Sequence, residues 1–441
     1  MPAAAADSTL YRSLMGDEDT ARLFTDSAEV RAMLLVEGTL AQVQGGLGLI
    51  PAEAAAFIQR ASHEVQIDPA ALGGSVAVNG VPVPGLIAGF AKAMNAPDMA
   101  QYLHWGATSQ DIMDTAQALR LRRVMDLWDQ RLAELVRALG ALAQDHADLA
   151  MAGRSYGQVA VPTSFGAVVA GWGHAVQRHR VRLAAVRGDV LVVSLGGAAG
   201  TLSAMGPLGP QVRAGLAQAL NLTDPLQGWH SERDGIAAFA GWMAGLAGSL
   251  GKMAEDVLLL TQSGIAEVRI AGAGGSSTMP QKQNPVGASV VVALSRQIIG
   301  LSATLHGAAL HRQQRDGAAW FTEWLTLPQM CISTGAALVQ ALTLASRITP
   351  DPAAMARGLE DGLGLIHAET LSFALARLMP RPQAQAQVKT LCAEAIASGV
   401  PLPQLVARDF PGLDLDLSSA AQLGQAPAEA RAFALGALPP N

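Results

Sequence analysis

Apolar and polar residues along the chain change their rhythm twice. Up to about Gln101, short helical patterns alternate with glycine- and proline-rich breaks, notably at 73–74 and 80–85. From Asp111 to about Ser346 the apolar positions recur with helical period over much longer runs. That spacing predicts long helices over 114–149, 162–190, 232–264 and 284–311, with a glycine-rich link at 196–209. After Ile348-Thr349-Pro350-Asp351-Pro352 the elements shorten again. Helices of this length exceed the usual globular range and imply a bundle. The expectation is an all-α protein of three helical domains, 1–110, 111–347 and 348–441, without a strand-rich region or an internal repeat.

Composition sharpens this picture. Half of the 441 residues are hydrophobic but only 4% are aromatic, so the apolar mass is mainly Ala, Leu, Val and Ile. Such sequence favours closely packed helices, and the chain is too long for one core. A net charge of −6 with scattered basic residues leaves no electrostatic footprint for nucleic acid. The start, Met1-Pro2-Ala3-Ala4-Ala5-Ala6-Asp7, lacks a basic segment and a long apolar core, so no secretory signal is expected. Residues 324–346 carry no charge and are long enough to cross a membrane. Pro328, Gln329, Gln340 and several hydroxyl residues suit a lone lipid-facing helix poorly, so burial in a large cytoplasmic assembly is expected instead. Cys331 and Cys392 show no metal-ligand spacing; reduced thiols are expected over a bridge.

One stretch stands apart chemically. In Gly274-Gly275-Ser276-Ser277-Thr278-Met279-Pro280-Gln281-Lys282-Gln283-Asn284-Pro285, two glycines free the backbone and three hydroxyls follow in a row. A lone lysine and an asparagine sit two residues apart, and Pro285 then opens an apolar helical run, where proline is well placed. A loop that feeds hydroxyls, a cation and backbone N–H groups toward one point is suited to hold an anion. A surface turn that happens to contain Lys282 does not explain such mixed chemistry.

This stretch resembles the GSSxMPxKxNP loop of the fumarase/aspartase superfamily. Two further blocks resemble those of the superfamily in the expected order. They are His104-Trp105-Gly106-Ala107-Thr108-Ser109-Gln110-Asp111 and Gly153-Arg154-Ser155-Tyr156-Gly157-Gln158. The likeness runs over almost the whole chain, including Met33-Leu34-Leu35-Val36-Glu37 and Gly362-Leu363-Gly364-Leu365. It implies three helical domains, a central bundle assembled into a homotetramer, and active sites that each collect the blocks from three subunits. It implies no metal and no other cofactor.

Superfamily reactions remove a proton next to a carboxylate and expel a group from the adjacent carbon, or run the reverse. The doubly charged aci-carboxylate that forms calls for cations and aimed donors in a dry site. The resemblance makes Ser276 the catalytic proton carrier and Lys282 its activating cation, since a serine of ordinary acidity is a poor base. Ser277, Thr278 and Met279 would lie against the substrate with them. Asn284 has two open roles, capping the following helix or holding a carboxylate. Thr108, Ser109 and Gln110 precede a long helix whose exposed N–H groups suit a second carboxylate, although Ser109 is also an ordinary N-cap. His104 and Gln158 join the site by resemblance alone; a single histidine before a turn is more often structural.

Two departures point within the superfamily. Lyases acting on adenylosuccinate, argininosuccinate or fumarate carry histidine at the fourth position of the second block, as part of the acid for the leaving group. Here that position is Tyr156. A carboxylate leaving group is already a weak base and needs no such acid. Gln314-Arg315-Asp316 resembles a segment of the adenylosuccinate branch, which holds its nucleotide with a serine and an arginine further on; here those positions are Trp320 and Trp324. Tryptophans do not replace phosphate ligands; they are core packing, or walls around a flat conjugated substrate. Arg315 and Trp320 enter the expected site on this reading. The expected activity is the cycloisomerase reaction, in which a tricarboxylate, 3-carboxy-cis,cis-muconate, closes to 4-carboxymuconolactone in protocatechuate breakdown along the β-ketoadipate pathway. The competing expectations are a C–N lyase of adenylosuccinate type that releases fumarate, and a catalytically silent structural descendant.

Overall fold

The computed structural model describes residues 5–275, 278–279, 281–413 and 415–437. It is built mainly of helices, and the long ones follow the apolar periodicity to within a few residues at each end. The chain divides into two compact units, each assembled from separate stretches. The first takes Met1–Arg131, His179–Gly248 and Ala293–Val339; the second takes Leu132–Arg178, Ser249–Val292 and Gln340–Asn441.

In the first unit, α1 (Asp26–Gly46) and α2 (Ala52–Glu64) form a tight helical hairpin. The Thr25 hydroxyl accepts the Ala28 N–H at 3.3 Å and so caps α1. Gly38 lets the two helices touch: a Cβ there would stand 2.0 Å from the Ser62 hydroxyl. The longer helices that follow are α3 (Val83–Met94) and α4 (Ser109–Asp145), the latter running on into the second unit. Met33, Val36 and Leu40 of α1 recur at helical spacing and bury against Leu86 and Phe90 of α3 and Ile112 and Ala116 of α4. Each large side chain placed there stabilises the fold by about 1.5–3 kcal/mol. Trp128 of α4 stacks with Trp242 at 5.9 Å, and the Trp242 indole N–H donates to the His179 carbonyl at 2.9 Å.

Among the described residues, the paired strands lie in the second unit. Strands β1 (Ala150–Ser155) and β2 (Gln158–Ser164) form an antiparallel hairpin that leads into α5 (Phe165–Val190). No strand was expected here, and the predicted helix at 162 begins at Phe165 instead. Val159, Val161 and Thr163 alternate with period two over a run too short for the helical pattern to register. Helix α6 (Gly209–Leu220) belongs to the first unit, and α7 (Asp234–Leu260) crosses from the first unit into the second. Beyond lie β3 (Val268–Ile270), the two-residue strands β4 (Gly274–Gly275) and β5 (Gln283–Asn284), and α8 (Val286–Gly307). Next comes α9 (Gly317–Ala345), and then β6 (Ile348–Pro350), which pairs with β3.

The C-terminal stretch forms short helices, with α10 (Pro352–Glu360), α11 (Ala368–Leu375), α12 (Arg381–Ser398) and α13 (Leu402–Asp409) among them. Leu371, Leu391, Leu402 and Leu405 make a small separate core there. Helices α8 and α9 are long and apolar enough to cross a membrane by length and composition, and the most apolar stretch of α9 is 61% buried within the protein. Cys331 and Cys392 are free thiols.

Candidate active site

The first motif block ends on the N-terminus of α4, and Asp111 organises it. Its carboxylate accepts the backbone N–H of Thr108 at 3.0 Å, Gly196 at 2.8 Å and Gly197 at 2.9 Å. His230 Nε2 lies 2.7 Å from the same group, and Asp111 is fully buried. Ser109 is the first helical residue and not the cap; Asp111, reaching back to the Thr108 N–H, makes the reciprocal half of a capping box and pins the glycine-rich 196–200 loop beside the helix start. Among the described residues no hydrogen bond engages the Thr108 or Ser109 hydroxyl, which leaves both at a helix N-terminus suited to an anion.

His104, just ahead of this cradle, has a left-handed backbone, φ 60°. Its Nδ1 sits 2.6 Å from Glu37 Oε1 on α1, and the Glu37 side chain is wholly buried. Burial alone would lower the imidazole pKa; the Glu37 carboxylate overcomes it, with a smaller push from Asp111, and the net shift is upward. One nitrogen is thus committed to Glu37, and the other is the group the ring can offer elsewhere.

Gln110 is wholly buried, and its amide is fully employed. Its Nε2 donates to the His230 carbonyl at 2.9 Å and to Asp114 at 3.2 Å, while its Oε1 accepts from Arg315 Nε at 2.9 Å. Behind it lies a buried ion triad. Arg233 grips Asp114 at 2.7 and 3.2 Å and Glu323 at 2.6 and 3.0 Å. The three side chains are at most 2% exposed. Burial works against the Arg233 charge, and the two carboxylates outweigh it and hold its pKa above the ordinary value. Burial also pushes the Asp114 pKa up. The Arg233 guanidinium sits over the Trp229 ring, 4.5 Å from its centroid.

The second block forms the tip of the β1–β2 hairpin. Tyr156 and Gly157 are its two turn residues, both with positive φ, 53° and 74°, as a tight two-residue hairpin requires. The Tyr156 side chain stands fully exposed. Gln158 opens β2, opposite Ser155. Two residues before the turn, opposite Val159, Arg154 forms a bidentate pair with buried Glu267 at 2.7 and 2.8 Å.

The third block is closed at its neck, because Gly274–Gly275 pairs antiparallel with Gln283–Asn284. The Lys282 N–H donates to the Met279 carbonyl at 3.0 Å. Lys282, Met279 and Asn284 line one side of a cavity of about 720 Å³ that Thr261 and Arg269 also border. Thr278 is exposed in the same loop. Ser276, Ser277 and Pro280 lie outside the described residues. Helix α8 starts at Val286 with the Pro285 carbonyl accepting the Ser289 N–H, so Pro285 itself holds the cap position and Asn284 is not the cap.

One expectation changes, and one open alternative is narrowed. Gln110 does not present its side chain to a ligand; with donors and acceptor already used, it links Arg315 to the core. Trp320 is 3% exposed inside the first unit's core, so it is core packing and not a wall of the site. Trp324, one turn on, packs edge-on to Trp320 at 4.6 Å and lines a cavity of about 400 Å³ with Met33, Met113 and Arg120. Sequence reasoning missed the Glu37–His104 pair and the Asp114–Arg233–Glu323 triad. A signal was present: Glu323 is the only charge in α9, and such a residue in an apolar helix needs a partner.

A lyase family model matches residues 22–300 of this chain. A 3-carboxy-cis,cis-muconate cycloisomerase of Pseudomonas aeruginosa is 39% identical, over 92% of this chain and 91% of its own. The enzyme of the same name from Pseudomonas putida is 38% identical over 90% and 95%. Among solved structures, the 3-carboxy-cis,cis-muconate lactonizing enzyme from Pseudomonas putida superposes with a TM-score of 0.90 at 35% identity. That match covers 98% of this chain and 99% of the other.

Proposed function

This chain belongs to the lyase family of the fumarase/aspartase superfamily, and from that premise we propose that it closes 3-carboxy-cis,cis-muconate to 4-carboxymuconolactone. The observation that carries this reading is likeness along nearly the whole chain to enzymes bearing that activity in their names. Tyr156, where a leaving-group histidine stands in the lyases, supports it from the chemistry.

One substrate carboxylate oxygen attacks a carbon of the conjugated diene and forms the lactone C–O bond. The π electrons move onto the neighbouring carbon and into its carboxylate, which becomes an aci-carboxylate. Lys282, the Thr108 and Ser109 hydroxyls, Asn284 and Arg315 hold the other carboxylates and stabilise the new charge. Ser276 Oγ–H delivers the proton to carbon, with Lys282 stabilising the alkoxide until solvent returns a proton. Nucleophile and acceptor share one molecule, so little entropy is lost in bringing them together. The reaction uses no metal or other cofactor.

The active site in this reading is shared by a homotetramer in the cytoplasm, one block from each of three subunits, on a frame of three helical domains. Its support is the fully exposed Tyr156 at a hairpin tip and the exposed apolar Ile299, Phe321 and Leu325 on the weakly charged helices α8 and α9. The competing fumarate-releasing lyase is separated by a substrate panel. Loss of the diene's ultraviolet absorbance is expected with 3-carboxymuconate, and no change with adenylosuccinate or argininosuccinate. Efficient fumarate release from either would overturn the reading.

A further inference from the structure

The ion triad is costly to bury and touches no part of the chemistry proposed above, yet it stands directly behind Arg315. Three charged side chains, Asp114 of α4, Arg233 immediately before α7 and Glu323 of α9, meet with almost no solvent contact. Replacing such a triad by apolar side chains is often neutral or stabilising, so fold stability alone does not explain it. Its geometry has a direction. Asp114 has both oxygens on Arg233, and its Oδ2 also accepts from Gln110. The remaining donor capacity of Gln110 goes to the His230 carbonyl, which leaves its Oε1 aimed at Arg315 Nε. The Arg315 NH2 group reaches the Ala198 carbonyl only at 3.4 Å, and its outer N–H groups stay available.

We propose that Gln110 and Arg233 are positioning residues: the Asp114–Arg233–Glu323 triad locks the Gln110 amide, and the locked amide fixes the Arg315 guanidinium to receive a substrate carboxylate. This rests on the proposed reaction for the identity of the substrate, but the positioning itself is measurable without turnover. An unanchored arginine loses rotamer freedom on binding; an anchored one has already lost it. The amide also cannot flip. Turned over, it would set an NH2 group against a guanidinium and a carbonyl against Asp114. The buried charges therefore select one orientation of a neutral side chain, and that orientation selects one for Arg315.

The test is a double-substitution cycle on the purified full chain, read as the dissociation constant for tricarballylate, a saturated tricarboxylate. Arg315→Met is expected to weaken binding roughly thirtyfold and Gln110→Met about fivefold to tenfold. In the Arg315→Met background, Gln110→Met should cost nothing further, because its effect passes through Arg315. With active enzyme, Gln110→Met should raise KM more than it lowers kcat. If Gln110→Met does not fold, Gln110→Asn serves, since it keeps an amide in the core but is one methylene short of Arg315. Equal factors in the two backgrounds would overturn the proposal, and so would unchanged binding in a folded Gln110 variant. Failure of the proposed reaction would instead appear as tight tricarballylate binding without consumption of 3-carboxymuconate.

Discussion

Glu37 Oε1 and His104 Nδ1 lie 2.6 Å apart, the carboxylate wholly buried and the imidazole about one-fifth exposed. The bond joins the middle of α1 to the residues that lead into α4, and it keeps the ring nearer its charged form at neutral pH. Its contribution to stability has a definite sign. The folded pKa is raised, so the contribution is complete below the unfolded value of about 6.5 and is lost as pH rises through the folded one. Titration of the His104 ring protons by NMR should give a midpoint above 6.5 in the parent protein and a lower one in Glu37→Gln. A midpoint that Glu37→Gln leaves in place would mean the carboxylate does not govern the ring.

Lys282→Met should weaken both binding and turnover, because it removes charge that complements the substrate carboxylates in ground and transition states alike. Ser276→Ala should cut turnover on the order of a thousandfold and leave the melting temperature almost unchanged, since a loop hydroxyl adds little to the core. Steady-state kinetics beside a thermal melt separates the two effects.

Tyr156→Phe probes the leaving-group argument. If the carboxylate adds and departs without help from an acid, loss of the phenol should cost about tenfold in kcat, near 1.4 kcal/mol of barrier. Activity abolished as completely as in Ser276→Ala would make Tyr156 itself the acid, and the missing histidine would then need another explanation.

Arg154→Met should destabilise the protein by about 3 kcal/mol, because Glu267 would remain as a buried, unpaired carboxylate. Denaturant unfolding measures this directly. The companion change Glu267→Gln should cost less, as it leaves no buried negative charge behind.

Light scattering should return a mass near four chains, and mixing two inactive variants, one from the first block and one from the third, should restore part of the activity if sites are shared between subunits. A stable monomer with full activity would rule out the shared site.

The long helices and the motif blocks were legible in the sequence because both are local patterns: apolar period in one case, residue type and order in the other. The hairpin that carries Tyr156 was not, since two short strands leave too few periods to read. The use of the Gln110 side chain was not legible, and the choice between two roles for Trp320 was open, for a related reason. Motif position says that a residue lies near the site, whereas burial decides which way its side chain is used. The Glu37–His104 pair and the Asp114–Arg233–Glu323 triad each join residues far apart in sequence, and only the fold brings each set together. The lone charge of α9 announced a partner without naming it.

The identity and isotope content of the product decide whether the proposed addition occurs. Incubated in D₂O with 3-carboxy-cis,cis-muconate and no added metal or nucleotide, the protein should yield 4-carboxymuconolactone carrying one deuterium on the carbon next to a carboxylate, as read by proton NMR. Unconsumed substrate, or a lactone formed without solvent deuterium, would contradict the proposed addition and protonation.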